Sequence, residues 1–178
     1  MNRLFVALRP PAPVRDALLD LMDGVEGARW QDEDQLHLTL RFVGEVDAPL
    51  ANDLAAALGG INSPPFETEL AGVGYFQRKG RPTALWARPA PCAPLDILQR
   101  KVERVCQQIG LEPEHRKFTP HVTLARLGRH AGPINGWLAE HGTFRTGSWQ
   151  VGEFRLYEST LNAGGSQYDP VASYRLQA

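Results

Sequence analysis

Two tetrapeptides with one pattern stand 84 residues apart: HLTL at 37–40 and HVTL at 121–124. Each is histidine, aliphatic, threonine, leucine. Alternating side chains along a strand put residues i and i+2 on one face. His37 therefore projects with Thr39, and His121 with Thr123, while Leu38 and Val122 anchor the strands from behind. Two imidazoles that titrate near neutrality suit one acid and one base in a single reaction. Threonine hydroxyls can donate to non-bridging phosphate oxygens as charge develops there. The set points to a phosphodiester, with one imidazole taking a proton from water and the other protonating the departing oxygen. The residues alone do not say which histidine does which.

The charge around the second motif agrees. From His115 to Ala139 there is no acidic residue, whereas Arg116, Lys117, Arg126 and Arg129 are all present. In a chain of net charge −1 this is a confined basic patch, as a phosphate pocket needs. Arg126 is the candidate phosphate contact, although strict alternation puts it on the face opposite His121. It needs a twist, a bulge or a strand end to reach the site.

Other chemistries find less support. A single strand histidine is by default structural; two matched pairs are not. Zinc sites usually take three or four His, Cys, Asp or Glu ligands, and both motifs carry threonine at i+2. The sequence has no CxxC, HExxH, GxSxG or P-loop pattern, so no metal or cofactor is expected. GVGYFQ (72–77) lacks the third glycine of a dinucleotide fingerprint and reads as a strand with a bulge. RKGR (78–81) reads as a solvated hairpin tip. Phe5, Trp30, Phe76 and Trp86 are candidates for stacking on a base, with core packing the default for each. His115, His130 and His141 read as surface or loop residues.

The elements that must position the motifs are legible from periodicity. RLFVAL (3–8) reads as a buried strand, and 13–22 as a helix with Pro13 in its first turn. LHLTLRFVG (36–44) alternates, with Leu36, Leu38, Leu40 and Phe42 on one side and His37, Thr39, Arg41 and Val43 on the other. Asp47 caps a helix over 48–58. Strands at 66–76 and 83–89 form a hairpin, and 94–110 is the clearest amphipathic helix. A second alternating strand spans 121–127, a short helix 133–142, and strands follow at 149–160 and 170–176. The expected fold is α+β: two pseudo-symmetric lobes with antiparallel sheets facing a central cleft and helices outside. No linker separates the lobes, so residues 1–178 read as one bilobal domain.

Composition is that of a globular chain, with 43% hydrophobic and 22% charged residues. Two cysteines are too few for a disulfide framework and read as reduced. The N-terminal apolar run, Leu4–Leu8, is too short for a signal segment, and no stretch suits a membrane span. A cytoplasmic monomer is the expectation.

The motifs and their surroundings resemble the RNA 2′,3′-cyclic phosphodiesterases, also called 2′-5′ RNA ligases, of the 2H phosphoesterase superfamily. RLFVALRPP, LHLTLRFVGE and FTPHVTLAR carry the likeness, with weaker support from YESTL (157–161). The resemblance implies hydrolysis of a terminal 2′,3′-cyclic phosphate to a 2′-phosphomonoester without a metal. It implies His37 as proton donor, His121 as proton acceptor, and Thr39 and Thr123 as phosphate ligands. The implied partner is RNA with 2′,3′-cyclic phosphate termini, and the reverse reaction would join such an end to a 5′-hydroxyl. Superfamily members also act on small cyclic nucleotides, ADP-ribose cyclic phosphate or 2′-5′ oligoadenylate, and a non-catalytic RNA-binding module is the remaining alternative.

Overall fold

The apolar run at the start forms β1 (Asn2–Leu8), and its alternation decides what lies on each side of the sheet. In a computed structural model, which describes residues 1–177, Leu4, Val6 and Leu8 enter the main core. Phe5 and Ala7 face the other way, in a small cluster with Tyr157 and Tyr168. Burial on both faces explains why this strand is apolar without a break.

Around β1 the first half-sheet contains β3 (Leu38–Val46), β9 (Glu153–Asn162) and β10 (Gly165–Arg175). The second half contains β5 (Leu70–Arg78), β6 (Arg81–Pro89) and β7 (Val122–Leu127), with β2 (Ala28–Trp30) on the β7 edge. The strand order is β10-β9-β1-β3-β7-β6-β5. The expected α+β arrangement of two antiparallel half-sheets is present, and the halves meet edge to edge in one eight-stranded sheet, through the single antiparallel pair Leu38↔Val122. A short β4 (Phe66–Thr68) and β8 (Trp149–Val151) pair separately.

The helices α1 (Ala12–Leu19), α2 (Ala48–Leu58) and α3 (Ala93–Gln108) each begin Ala-Pro, which places proline where no helical N–H bond is needed. Asp47 caps α2, its Oδ1 accepting from the Leu50 amide at 3.0 Å. Leu18, Leu54, Leu58, Leu95, Leu98 and Val102 join Leu38, Leu40, Val122 and Leu124 in one core. Full burial of each such side chain contributes about 1.5–3 kcal/mol. The helices thus close one face of the sheet and leave the other open. Helix α4 (Asn135–Glu140) is shorter than its expected 133–142, and α1 ends at Leu19 rather than Met22. Strand β2 was not foreseen, because three residues are too few to show a period. Cys92 and Cys106 are both free thiols.

Strict alternation fails in β3, and the failure is structural. Val6 pairs with Arg41 and Ala7 with Thr39, so Leu40 is an unopposed bulge residue. Beyond it the parity inverts: Arg41, expected on the outward face, is buried, and Phe42, expected in the core, is 41% exposed. The buried guanidinium is fully engaged. Arg41 Nε donates to Glu103 Oε2 of α3 at 3.0 Å, Nη1 to the Phe42 carbonyl at 2.8 Å, and Nη2 to the Glu112 carbonyl. Glu103 Oε1 also accepts from the Glu114 amide at 2.8 Å. This network ties β3 to α3 and to the loop that leads into the second motif.

Removing one partner of a buried pair strands the other charge, typically at a cost of about 3–5 kcal/mol. Glu103→Ala should therefore lower unfolding stability by several-fold more than the Asp47→Ala cap deletion, which should cost about 1 kcal/mol. Urea denaturation of the two variants measures both; equal losses would contradict the bridging role of Glu103.

Candidate active site

The site is built where the half-sheets touch. Leu38 and Val122 are each the residue after a motif histidine, and both are sealed in the core. Extending their antiparallel register by one residue brings His37 opposite Thr123 and Thr39 opposite His121. One cavity of about 720 Å³ is lined by His37, Thr39, His121, Thr123 and Arg126. The five residues singled out in the sequence are therefore brought together.

Arg126 reaches this face because β7 repeats the bulge of β3. Leu85 pairs with Ala125 and Trp86 with Thr123, leaving Leu124 unopposed. Leu124 and Ala125 are both buried, and Arg126 emerges on the open side. Each bulge falls three residues after its histidine. The equivalent of Arg126 in the first half is Phe42, so the pseudo-symmetric cleft has a cation in one half and an aromatic in the other. Strand β2 adds Arg29 directly across from Arg126. Like charges directly opposite on a sheet are unfavourable, and a bound anion would relieve them. Neither arginine joins an ion pair among the described residues.

The two imidazoles are held in the same way. His37 Nδ1 lies 2.7 Å from the Gln35 carbonyl, and His121 Nδ1 lies 2.7 Å from the Thr119 carbonyl. A carbonyl only accepts, so Nδ1 carries the hydrogen in both rings and Nε2 keeps the lone pair for chemistry. The Gln35 carbonyl belongs to a 3₁₀ turn (Glu33–Gln35) fixed by Arg9, whose Nη1 donates to the Glu33 and Leu36 carbonyls, both at 3.2 Å. Phe5 packs on the His37 ring at 4.7 Å between centroids, with Tyr168 edge-on at 5.1 Å. Phe76 meets His121 edge-on at 4.8 Å, and Trp86 lies behind at 6.2 Å. The Trp86 ring covers Gly74 so closely that a Cβ there would sit 2.3 Å from it. Glycine at 74 thus lets Trp86 back the second imidazole.

Burial pushes His37 down to about 4, despite the opposing bond from the Gln35 carbonyl. The charges of His121, Arg126 and Arg9 push the same way. His121 is also lowered, first by burial and then by Arg126, with the Thr119 carbonyl opposing. Both rings are therefore neutral in the free protein at pH 7, each with an Nε2 lone pair available.

Of the remaining sequence candidates, Phe5 also lines this cavity while packing on His37, and the others fall outside it or behind it. Phe5 and Trp86 are buried supports. Trp30 packs on Trp137 at 6.1 Å. Phe76 lines a second open groove. His115 and His130 are exposed as expected, whereas His141 is partly buried against Trp137, 5.3 Å away. Arg29, Phe42, Tyr168 and the two carbonyls were missed. Phe42 was hidden by the bulge, Arg29 by the shortness of β2, and carbonyl positions leave no mark in a sequence. Among the described residues no three His, Cys, Asp or Glu side chains cluster as metal ligands, and no helix is long and apolar enough to cross a membrane.

Comparison with known proteins gives a consistent family. The model described as LigT like Phosphoesterase matches residues 8–86 and 89–168, one motif in each stretch. An RNA 2′,3′-cyclic phosphodiesterase of Aeropyrum pernix is 36% identical over 140 residues, covering 77% of this chain and 80% of the relative. A protein of the same description from Escherichia coli K12 is 31% identical over 182 residues, covering 98% and 97%. The crystal structure of E. coli LigT complexed with 3′-AMP superimposes with a TM-score of 0.79 at 28% identity, over 99% of both chains.

The depressed imidazoles make stability pH-dependent. The unfolded chain takes up a proton near 6.5, whereas folded His37 resists it until about 4. The unfolded state binds more protons in that window, so stability falls as pH drops from 6.5 toward 4. His37→Asn cannot titrate and should lose less melting temperature over the same range. Parallel melting curves at several pH values check this; identical slopes would contradict a buried neutral His37.

Proposed function

The chain belongs to the LigT-like phosphoesterase family, and from that premise we propose that it hydrolyses terminal 2′,3′-cyclic phosphates of RNA to 2′-phosphomonoesters. One observation carries the reading: two imidazoles in the same tautomer and two threonines line a single cavity, across the one pair that joins the half-sheets. His121 Nε2 accepts a proton as water attacks phosphorus. His37 Nε2 donates a proton to the 3′-oxygen as the P–O3′ bond breaks. The 2′-oxygen stays on phosphorus, and the product carries a 2′-phosphate and a free 3′-hydroxyl. Thr39, Thr123 and Arg126 hold the non-bridging oxygens, which gain charge in the transition state. Afterwards His37 is neutral and His121 charged, and exchange with solvent restores the cycle.

The electrostatics set a condition on this assignment. His37, the donor, is held at about 4 in the free protein, so it must gain its proton with the substrate. A phosphodiester anion bound between the imidazoles opposes the positive field of Arg126 and favours the imidazolium. The pH dependence of kcat/KM reports the free enzyme and kcat the complex. With both free imidazoles lowered, kcat/KM should peak below pH 6.5, and the kcat profile should extend to higher pH.

Product analysis of a 2′,3′-cyclic oligonucleotide should give the 2′-phosphate alone; a 3′-phosphate, or no turnover, would overturn the reading. His37→Ala and His121→Ala should each lower turnover by roughly 10²–10⁴-fold. An activated aryl phosphodiester, whose phenolate leaves unprotonated, separates the roles. His37→Ala should keep most of its rate on that substrate and His121→Ala should not; the opposite pattern would exchange donor and acceptor.

A further inference from the structure

The carbonyl that orients His37 is the one its own turn leaves ungripped. Arg9 Nη1 donates to the carbonyls of Glu33, Asp34 and Leu36 at 3.2, 3.4 and 3.2 Å. The guanidinium skips the Gln35 carbonyl, which accepts from His37 Nδ1 instead. A three-residue 3₁₀ turn has poor hydrogen-bond geometry and little stiffness of its own. Leu36, buried in the core, fixes the chain after Gln35. It does not fix the tilt of the peptide plane between them, and that tilt sets where the His37 ring points.

The Gln35 side chain supplies this constraint. Its Oε1 accepts from the Asp32 amide at 2.9 Å, and its Nε2 donates to the Ser166 carbonyl at 2.8 Å, 131 residues away. The side-chain amide is thus held at both ends, on the turn and on β10. Tyr168, two residues further along β10, packs edge-on against the His37 ring. The β9–β10 hairpin therefore braces His37 twice, directly through Tyr168 and indirectly through Gln35. Leu161, Ser166 and Tyr168 of this hairpin also line the catalytic cavity, whereas Gln35 does not. The His121 half has no such device. There the equivalent residue, Thr119, is exposed and, among the described residues, contributes its carbonyl and no side-chain hydrogen bond.

We infer that Gln35 is a positioning residue for the proton donor: its side chain locks the turn to the β9–β10 hairpin and so keeps His37 Nε2 directed at the leaving 3′-oxygen. The inference rests on the proposed hydrolysis and on His37 as donor. A displaced ring transfers its proton less well to the 3′-oxygen, while activation of water by His121 is untouched.

The test compares two substrates that differ in their need for a donor. Gln35→Met keeps the length of the side chain and removes both of its hydrogen bonds. On a 2′,3′-cyclic oligonucleotide it should lower kcat about ten- to a hundredfold, with KM within about twofold of wild type. On an aryl phosphodiester, whose phenolate leaves unprotonated, the same variant should stay within about twofold of wild type, which also shows that it is folded. Gly165 sits in the hairpin turn with φ 112°, where a side chain is strained. Gly165→Val should shift the tip that carries Ser166 and give the same split between substrates at smaller amplitude. Three results would overturn the inference: unchanged kcat of Gln35→Met on the cyclic substrate, equal losses on both substrates, or a wild-type ratio for Gly165→Val. Failure of the hydrolase reading is distinct, because it would show as absent hydrolysis of the cyclic substrate by wild type. An exchange of donor and acceptor would show first in His37→Ala on the aryl substrate.

Discussion

The site depends on one antiparallel contact, Leu38 against Val122. Both side chains are driven into the core by the hydrophobic effect, and each is flanked by a histidine and a threonine that must then face the other way. Packing behind the sheet thereby fixes chemistry in front of it. Because the contact joins the edges of two half-sheets, each half supplies one imidazole and one hydroxyl. A one-residue shift of either strand would turn its own histidine and threonine toward the core.

The second determinant is the paired bulge. Leu40 and Leu124 each insert an unopposed residue at the same distance from their histidines. In β7 this frees Arg126 to face the cleft. In β3 it turns Arg41 inward, where Glu103 and two backbone carbonyls satisfy it. One irregularity therefore supplies a cation to the site in one half and a buried tether in the other. The tether holds the 112–114 segment, which leads through Lys117 and Phe118 into the second motif. Duplicated backbone geometry with different residues gives a pseudo-symmetric frame an asymmetric cleft, with Arg126 in one half and Phe42 at the equivalent place in the other.

Much of this was legible in the chain. The repeated His-x-Thr pattern located the reacting groups, and the Ala-Pro starts, the Asp47 cap and the apolar run 4–8 located most elements. The need for a bulge before Arg126 was also readable, since alternation pointed it the wrong way. The equivalent bulge at Leu40 escaped notice because Arg41 outside and Phe42 inside looked reasonable from residue type alone. The joining of the halves into one sheet was not legible, because it turns on a single residue pair between strands 84 residues apart. The role of the Gln35 and Thr119 carbonyls in fixing both tautomers depends on backbone placement, to which sequence pattern is blind.

The central claim is that the two halves act on one phosphorus in one step. It is tested most directly by a double-mutant cycle on cyclic-phosphate hydrolysis with His37→Ala, His121→Ala and the combined variant. Groups that act as a unit are strongly non-additive, since removing either disables the step that needs both. The account predicts that the combined variant loses little more activity than the weaker single variant. Losses that multiply would mean that the two imidazoles contribute independently, and would contradict a single site assembled from two half-sites.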